Sequence, residues 1–212
     1  MAQSEATETA SARRQRSDGR RSRDAILDTA ARLATVEGLE GLSIGGLAER
    51  TGMSKSGLYA HFKSKEELQL ATIDTAAELF NAEVVAPGIA VPPGRARLWA
   101  LSDEFLAHLE RDVFPGGCFF ASVAAEIDTR PGRVRDRIVE FIEGWVGQLF
   151  LAVKDAQAAG EIDPAEDAEQ LTFEIDAMLL MANAAYVLSP SAGVLDRGRR
   201  GIERLIGPAP AR

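Results

Sequence analysis

The stretch Leu42–Lys65, LSIGGLAERTGMSKSGLYAHFKSK, decides the fold. It predicts two short helices, from about Ile44 to Thr51 and from about Ser54 to His61, joined by a tight turn. Gly52 stands in that turn, where a left-handed backbone suits a residue without Cβ. Ser43 and Ser54 precede the two helices, and a serine oxygen at such a position satisfies an orphan amide. Leu47 and Ala48 face inward, Met53 packs the turn, and Leu58 and Phe62, four apart, share one face of the second helix. Lys55, Ser56, Gly57, Tyr59 and His61 remain outside. A polar, partly basic face with one phenol suits a major groove and its phosphates.

The segment around this stretch resembles the DNA-binding domain of TetR-family transcriptional regulators. The resemblance runs over about residues 20–70. It rests on Ile26, Leu27, Ala30, Ala31, Gly38, Ser43, Leu47, Ala48, Gly52, Met53, Ser54, Leu58, Tyr59, Phe62, Lys65, Glu67 and Leu68. Gly45-Gly46 departs from the pattern, because a glycine inside a helix costs about 1 kcal/mol relative to alanine.

Charge is divided along the chain. The whole carries −8, which alone argues against nucleic acid. From Arg13 to Lys65, however, eleven Lys/Arg stand against six Asp/Glu, a net of +5. Beyond Lys65, thirteen stand against twenty-four, a net of −11. A basic front on an acidic body suits a protein that offers one face to DNA, and the acidic body disfavours an architectural protein that wraps it. The one cysteine, Cys118, excludes an internal disulfide. The N-terminus has no apolar segment of the signal-peptide kind. The most apolar run, Ala177–Leu188, is shorter than the roughly 20 residues a bilayer span takes. A cytoplasmic protein without a membrane segment is expected.

Residues 1–19 read as a disordered basic tail containing Arg13, Arg14 and Arg16. Residues 20–65 read as the helix-turn-helix domain. Its first helix is expected from Arg23, capped by Ser22, to about Glu37, with Ile26, Ala30, Leu33 and Ala34 on one apolar face. Ser64-Lys65-Glu66-Glu67 reads as a capping box opening a connector helix to about Ala86. The rest, 66–206, reads as an all-α bundle with breaks at Pro87–Gly94, Pro115-Gly116-Gly117, Pro131-Gly132, Gly160 and Pro190. Helices are expected over about 95–112, 118–127, 133–159, 164–188 and 192–206, and 207–212 reads as a flexible tail. No strand and no internal repeat is evident.

Candidate DNA contacts are Arg20, Arg21, Ser43, Ser54, Lys55, Ser56, Gly57, Tyr59, His61 and Lys65. Tyr59, Lys65 and the two capping serines are assigned to phosphates. Lys55, Gly57 and His61 are assigned to base edges, Gly57 by letting the backbone approach. Candidate pocket residues are Trp99, Phe105, Phe119, Phe120, Phe141, Trp145, Met178 and Met181, with His108, Glu104 or Asp176 as sources of polarity. Gly41-Leu42-Ser43-Ile44-Gly45 matches the hydrolase elbow G-x-S-x-G but lacks its strand. The two histidines, His61 and His108, form no triad with it. No Walker or G-x-G-x-x-G loop and no metal-ligand spacing occurs, so neither cofactor nor metal is expected.

The resemblance implies a ligand-responsive homodimer, most simply a repressor. Its last two long helices would form a two-fold four-helix interface. A small apolar or amphipathic effector would shift the two DNA-reading heads, with the helix from Ser64 as connector. The Gly-Gly-Cys-Phe-Phe segment at 116–120 is similar to one subset of these regulators. The competing reading, a small all-helical carrier or enzyme using the apolar cavity, finds no catalytic spacing to support it.

Overall fold

The computed structural model describes residues 2–127, 129 and 131–209, with side chains from Gly19 onward. The tail arginines Arg13, Arg14 and Arg16 fall outside the described side chains, as do residues 210–212. Among the described residues every regular element is helical: α1 (Ala2–Glu37), α2 (Ile44–Thr51), α3 (Lys55–His61), α4 (Lys65–Phe80), α5 (Ala86–Ile89), α6 (Arg95–Glu110), α7 (Phe119–Ile127), α8 (Arg133–Ala158), α9 (Ala168–Leu188) and α10 (Ala192–Ile206).

The local rules read from sequence operate where they were placed. Ser43 Oγ accepts the Gly46 N–H at 3.0 Å, and Ser54 Oγ accepts the Gly57 N–H at 3.1 Å. Gly52 has φ +67. Ser64 Oγ accepts the Glu67 N–H at 3.1 Å, while the Glu67 carboxylate reaches the Lys63 N–H at 3.0 Å. The box therefore closes one residue earlier than the reciprocal form. Gly45 also acquires a use. A Cβ there would stand 3.4 Å from Lys55 Cε, so its bareness leaves room for the Lys55 stem across the start of α2.

Four boundaries differ from expectation. Helix α1 passes through Ser22 instead of starting there. The Ser22 hydroxyl is engaged elsewhere, 3.9 Å from Met53 Sδ. The connector does not run unbroken to Ala86. It ends at Phe80, continues as a π-helical segment over Asn81–Val85, and resumes as α5 with Pro87 in its first turn. Pro87 lacks the N–H that would meet the Glu83 carbonyl, which accepts from Arg111 Nη2 at 3.2 Å instead, and the break falls at 90–94. Helix α9 starts at Ala168, not Pro164, because Asp167 Oδ1 accepts the N–H groups of Glu169 (2.9 Å) and Gln170 (3.2 Å). Finally, α9 as a whole is 21 residues and, by length and composition alone, long enough to cross a bilayer. The run from Ala177 understated it. In the fold, α9 packs its Leu171, Ile175, Leu179 and Ala182 face into the bundle.

One contiguous core joins both halves. Ile26, Leu39, Leu47, Leu58 and Phe62 close the front part, and Leu98, Leu106, Phe119, Leu149, Leu179 and Ile202 close the body.

Candidate DNA-reading face and effector cavity

The α2–α3 pair is a small apolar wedge with a polar exterior. Leu58 and Phe62 are fully buried, and Arg23 of α1 stacks its guanidinium 5.1 Å from the Phe62 centroid. Ser43, Ser54, Lys55, Ser56 and Tyr59 are exposed, Tyr59 at 56%. Ser54 Oγ and Ser56 Oγ are 3.1 Å apart. Gly57 is half-buried, with its N–H committed to the Ser54 cap.

The other four expected contacts, His61, Arg20, Arg21 and Lys65, are placed apart from this group. His61 is half-buried at the end of α3 and lines a polar cleft with Arg20, Arg23, Asp24, Asp74 and Glu78, between α1 and α4. Arg20 belongs to that cleft, and Arg21 is exposed one residue along. The Lys65 ammonium donates to the Glu40 carbonyl at 2.6 Å and to the Glu40 carboxylate at 3.2 Å. Gln69 Nε2 donates to the Leu39 carbonyl at 3.0 Å beside it. The start of α4 thus braces the loop that leads into α2.

A second brace comes from the body and had no sequence signal. The Glu126 carboxylate, at the end of α7, accepts the Leu39 N–H at 2.7 Å and the Glu40 N–H at 2.9 Å. Gly38, φ +81, leaves no Cβ where that carboxylate lies. Arg32 Nη1 donates to the Val113 carbonyl at 2.8 Å, and Thr35 Oγ1 accepts the Gly116 N–H at 3.1 Å. The run from 113 to 126 therefore fastens α1 at two places and the turn after it at a third.

The body holds a cavity of about 190 Å³. Of the expected lining, Phe105, Phe120, Phe141 and Trp145 are present; Phe80, Cys118, Ala121, Ala124, Ala125, Ile142, Asp176 and Leu180 complete it. Phe120 and Phe141 stack at 3.4 Å and 9°, Phe105 and Trp145 at 5.9 Å and 24°. Phe80 sits edge-on to Phe141 (5.3 Å) and Trp145 (5.2 Å). The other four expected residues do not line it. Trp99 donates its indole N–H to the Gly207 carbonyl at 3.1 Å, tying the start of the C-terminal tail to α6. Phe119 is plain core between Phe114 and Phe120. Met178 and Met181 are exposed on α9 at 39% and 66%. Their helical spacing matched an inward face, but α9 is an outer helix that buries only one side.

Of the expected polar groups, Asp176 alone reaches the cavity. It accepts the Trp145 indole N–H at 3.0 Å, and burial pushes its carboxyl above the ordinary value against that hydrogen bond. Glu104 pairs with Arg111 at 3.5 Å. His108 Nδ1 lies 2.9 Å from Glu83 of the π segment. Burial nonetheless holds the imidazole below its usual value, with the Glu83 contact opposing. Burial raises the Cys118 thiol to about 11, so it lines the cavity as an unreactive thiol. Among the described residues no group of three His, Cys, Asp or Glu side chains could hold a metal ion.

A helix-turn-helix head braced against a helical body with an aromatic cavity defines a two-domain DNA-binding regulator. The model of bacterial regulatory proteins of the tetR family matches residues 26–72, and that of the tetracyclin repressor-like C-terminal domain matches 94–202. The chain belongs to the tetR family of transcriptional regulators. It is 29% identical to a TetR transcriptional regulator of Chloroflexus aurantiacus J-10-FL (TM-score 0.81, covering 91% of this chain and 97% of that one). It is 26% identical to AibR, solved in complex with isovaleryl coenzyme A and operator DNA (TM-score 0.74, 88% and 99%). Over 141 residues it is 23% identical to the transcriptional regulator AcuR of Cereibacter sphaeroides. That match spans 65% of this chain and 63% of the relative's length.

Proposed function

We propose that the chain is a homodimeric repressor released from its operator when a small apolar or amphipathic effector enters the α7–α8–α9 cavity. The observation that carries the reading is the exposed Ser54, Lys55, Ser56 and Tyr59 set on a fully buried Leu58–Phe62 base. Among the described residues nothing covers this polar ridge. Each protomer lays α3 in a major groove. Tyr59 and Ser43 meet phosphates, while Lys55 and the Gly57 backbone approach base edges, and Lys65 at the start of α4 supports them through its hold on Glu40. His61, Arg20 and Arg21 bound the same face from the α1 side.

Two struts carry the coupling. Helix α4 has the Lys65–Glu40 brace at one end and Phe80 in the cavity at the other. Helix α7 has Phe120, Ala121, Ala124 and Ala125 in the cavity and Glu126 on the same loop. An effector that prefers the conformer with a displaced loop needs only about 1–3 kcal/mol of differential binding. Dimerisation falls to the long C-terminal helices, with α9 foremost, where Phe173, Met178, Met181, Val187 and Leu188 form an exposed apolar strip. The protein acts in the cytoplasm, where the chromosome is, and as a binder, not a catalyst.

The test is fluorescence anisotropy with the promoter fragment upstream of its own gene, against unrelated DNA, at several salt concentrations. Selective, salt-sensitive binding is expected. Absence of any selectivity by a protein whose head is folded overturns the reading.

A further inference from the structure

The cavity does not end at Asp176. A groove of about 450 Å³ continues it between α8 and α9, sharing Ile142 and Asp176 and reaching Glu143 and Glu169. No Lys, Arg or His lines either space among the described residues. The inner space offers a ligand one charged group, the Asp176 carboxylate, held in place by the Trp145 indole. Its walls include four aromatic side chains paired by stacking, Phe120 with Phe141 and Phe105 with Trp145.

These features share one sign. Aromatic faces carry negative charge above the ring and attract cations within about 6 Å of the centroid. The half-buried Asp176 carboxylate has a neutral indole as its donor and no cationic side chain beside it in the lining. We infer that the effector is a monovalent organic cation, an ammonium on an apolar or aryl body. Its charge lies against Asp176 and its body among Phe120, Phe141 and Trp145. The inference rests on reading the cavity as the effector site, and it separates this chain from AibR. An acyl coenzyme A carries phosphates, and this lining meets them with carboxylates alone.

The experiment titrates the full-length protein with three near-isosteres: benzyltrimethylammonium, its neutral carbon analogue neopentylbenzene, and the anion 3-phenylpropanoate. Isovaleryl coenzyme A is added as a fourth probe. Calorimetry and quenching of the tryptophan fluorescence report binding. The cation should bind about tenfold or more tightly than the neutral analogue, as expected for one ion-pair and cation–π contact, and the two anions should bind more weakly still. Asp176→Asn should lower the cation to the neutral level and leave the neutral affinity unchanged, with the thermal transition retained. Equal or tighter binding of the neutral or anionic probes overturns the charge assignment while leaving the effector site standing. Failure of all four probes to bind overturns both. The unmodified protein decides the order of affinities even if the variant does not fold.

Discussion

The head and the body are closed by contacts of different reach. In the head, the caps at Ser43 and Ser54, the turn at Gly52 and the Leu58–Phe62 pair all join residues within a few positions of one another. In the body, the cavity draws on α4, α6, α7, α8 and α9, and its lining residues run from Phe80 to Leu180. Where the two meet, the apolar core runs through, and beside it stand polar contacts between residues far apart in sequence: Glu126 with Leu39 and Glu40, Arg32 with Val113, and Thr35 with Gly116. A locally specified head on a non-locally specified body, joined by a shared core and a few long-range hydrogen bonds, can shift only as far as those hydrogen bonds give way.

The largest effect is expected where that contrast is attacked directly. Phe62→Ala empties a fully buried site and should cost about 3–5 kcal/mol. Both tryptophans, Trp99 and Trp145, lie in the body. Thermal melts followed by helicity and by tryptophan fluorescence should therefore part company in this variant, helicity falling first as the head opens. Coincident curves would mean that head and body unfold as one unit and that the joint is stiffer than its contacts suggest.

Next in size is the joint itself. Glu126→Ala leaves the Leu39 and Glu40 amides without their acceptor, a loss of about 1–3 kcal/mol shared between local opening and global stability. Hydrogen exchange at those two amides should accelerate while the α9 amides keep their protection, and DNA affinity should fall with the body intact. Glu126→Gln, which retains one acceptor oxygen, should recover part of the protection. Unchanged exchange at Leu39 and Glu40 would remove Glu126 from the coupling path.

These two substitutions also mark what a reading of residues can reach. Phe62 was legible because its partner Leu58 stands one helical turn away and both caps lie beside it. Glu126 was not, because nothing in its neighbourhood singles out one carboxylate that meets a turn 86 residues earlier. The same division runs through the cavity. Phe105, Phe120, Phe141 and Trp145 were found by being aromatic on apolar faces. Phe80 was passed over because the connector carries two apolar stripes, and the π segment after it, which follows no 3.6-residue period, was invisible. Met178 and Met181 were placed inward since period alone does not tell a core face from a face kept for a second chain.

A pH effect sharpens the comparison on the body side. His108 is buried beside Glu83, and desolvation holds its folded-state pKa below the unfolded value near 6.5. The unfolded chain therefore takes up the proton more readily. The contribution to stability is complete above about pH 6.5 and is lost as pH falls through the lower folded-state value. Asp176, raised by burial, works in the opposite sense, gaining stability as it is protonated at lower pH. As pH falls below about 6.5, and before the carboxylates titrate, the His108 effect should be the one observed. Denaturant midpoints should drop across that window in the native chain and flatten in His108→Gln. A midpoint that instead rises on acidification would assign the imidazole the charged form in the folded protein.

The smallest expected effect separates two lysines that the sequence treats alike. Lys55 is exposed on α3, and the pocket left by Gly45 lets its stem lie along α2 with the ammonium beside the DNA-reading ridge. Lys65 is spent on Glu40. A lysine that neutralises one phosphate or base edge releases about one counterion, so Lys55→Ala should reduce the slope of log affinity against log salt by about 1. Lys65→Ala should change that slope by less, because its charge is already half-compensated by a carboxylate 3.2 Å away, yet it should still weaken binding by loosening the loop ahead of α2. Tyr59→Phe should weaken all sequences about equally with little change of slope, since a neutral hydroxyl displaces no counterion. If Lys65→Ala lowers the slope as much as Lys55→Ala does, the Glu40 brace gives way on DNA binding, and α4 joins the head as a direct reader of phosphate instead of only its support.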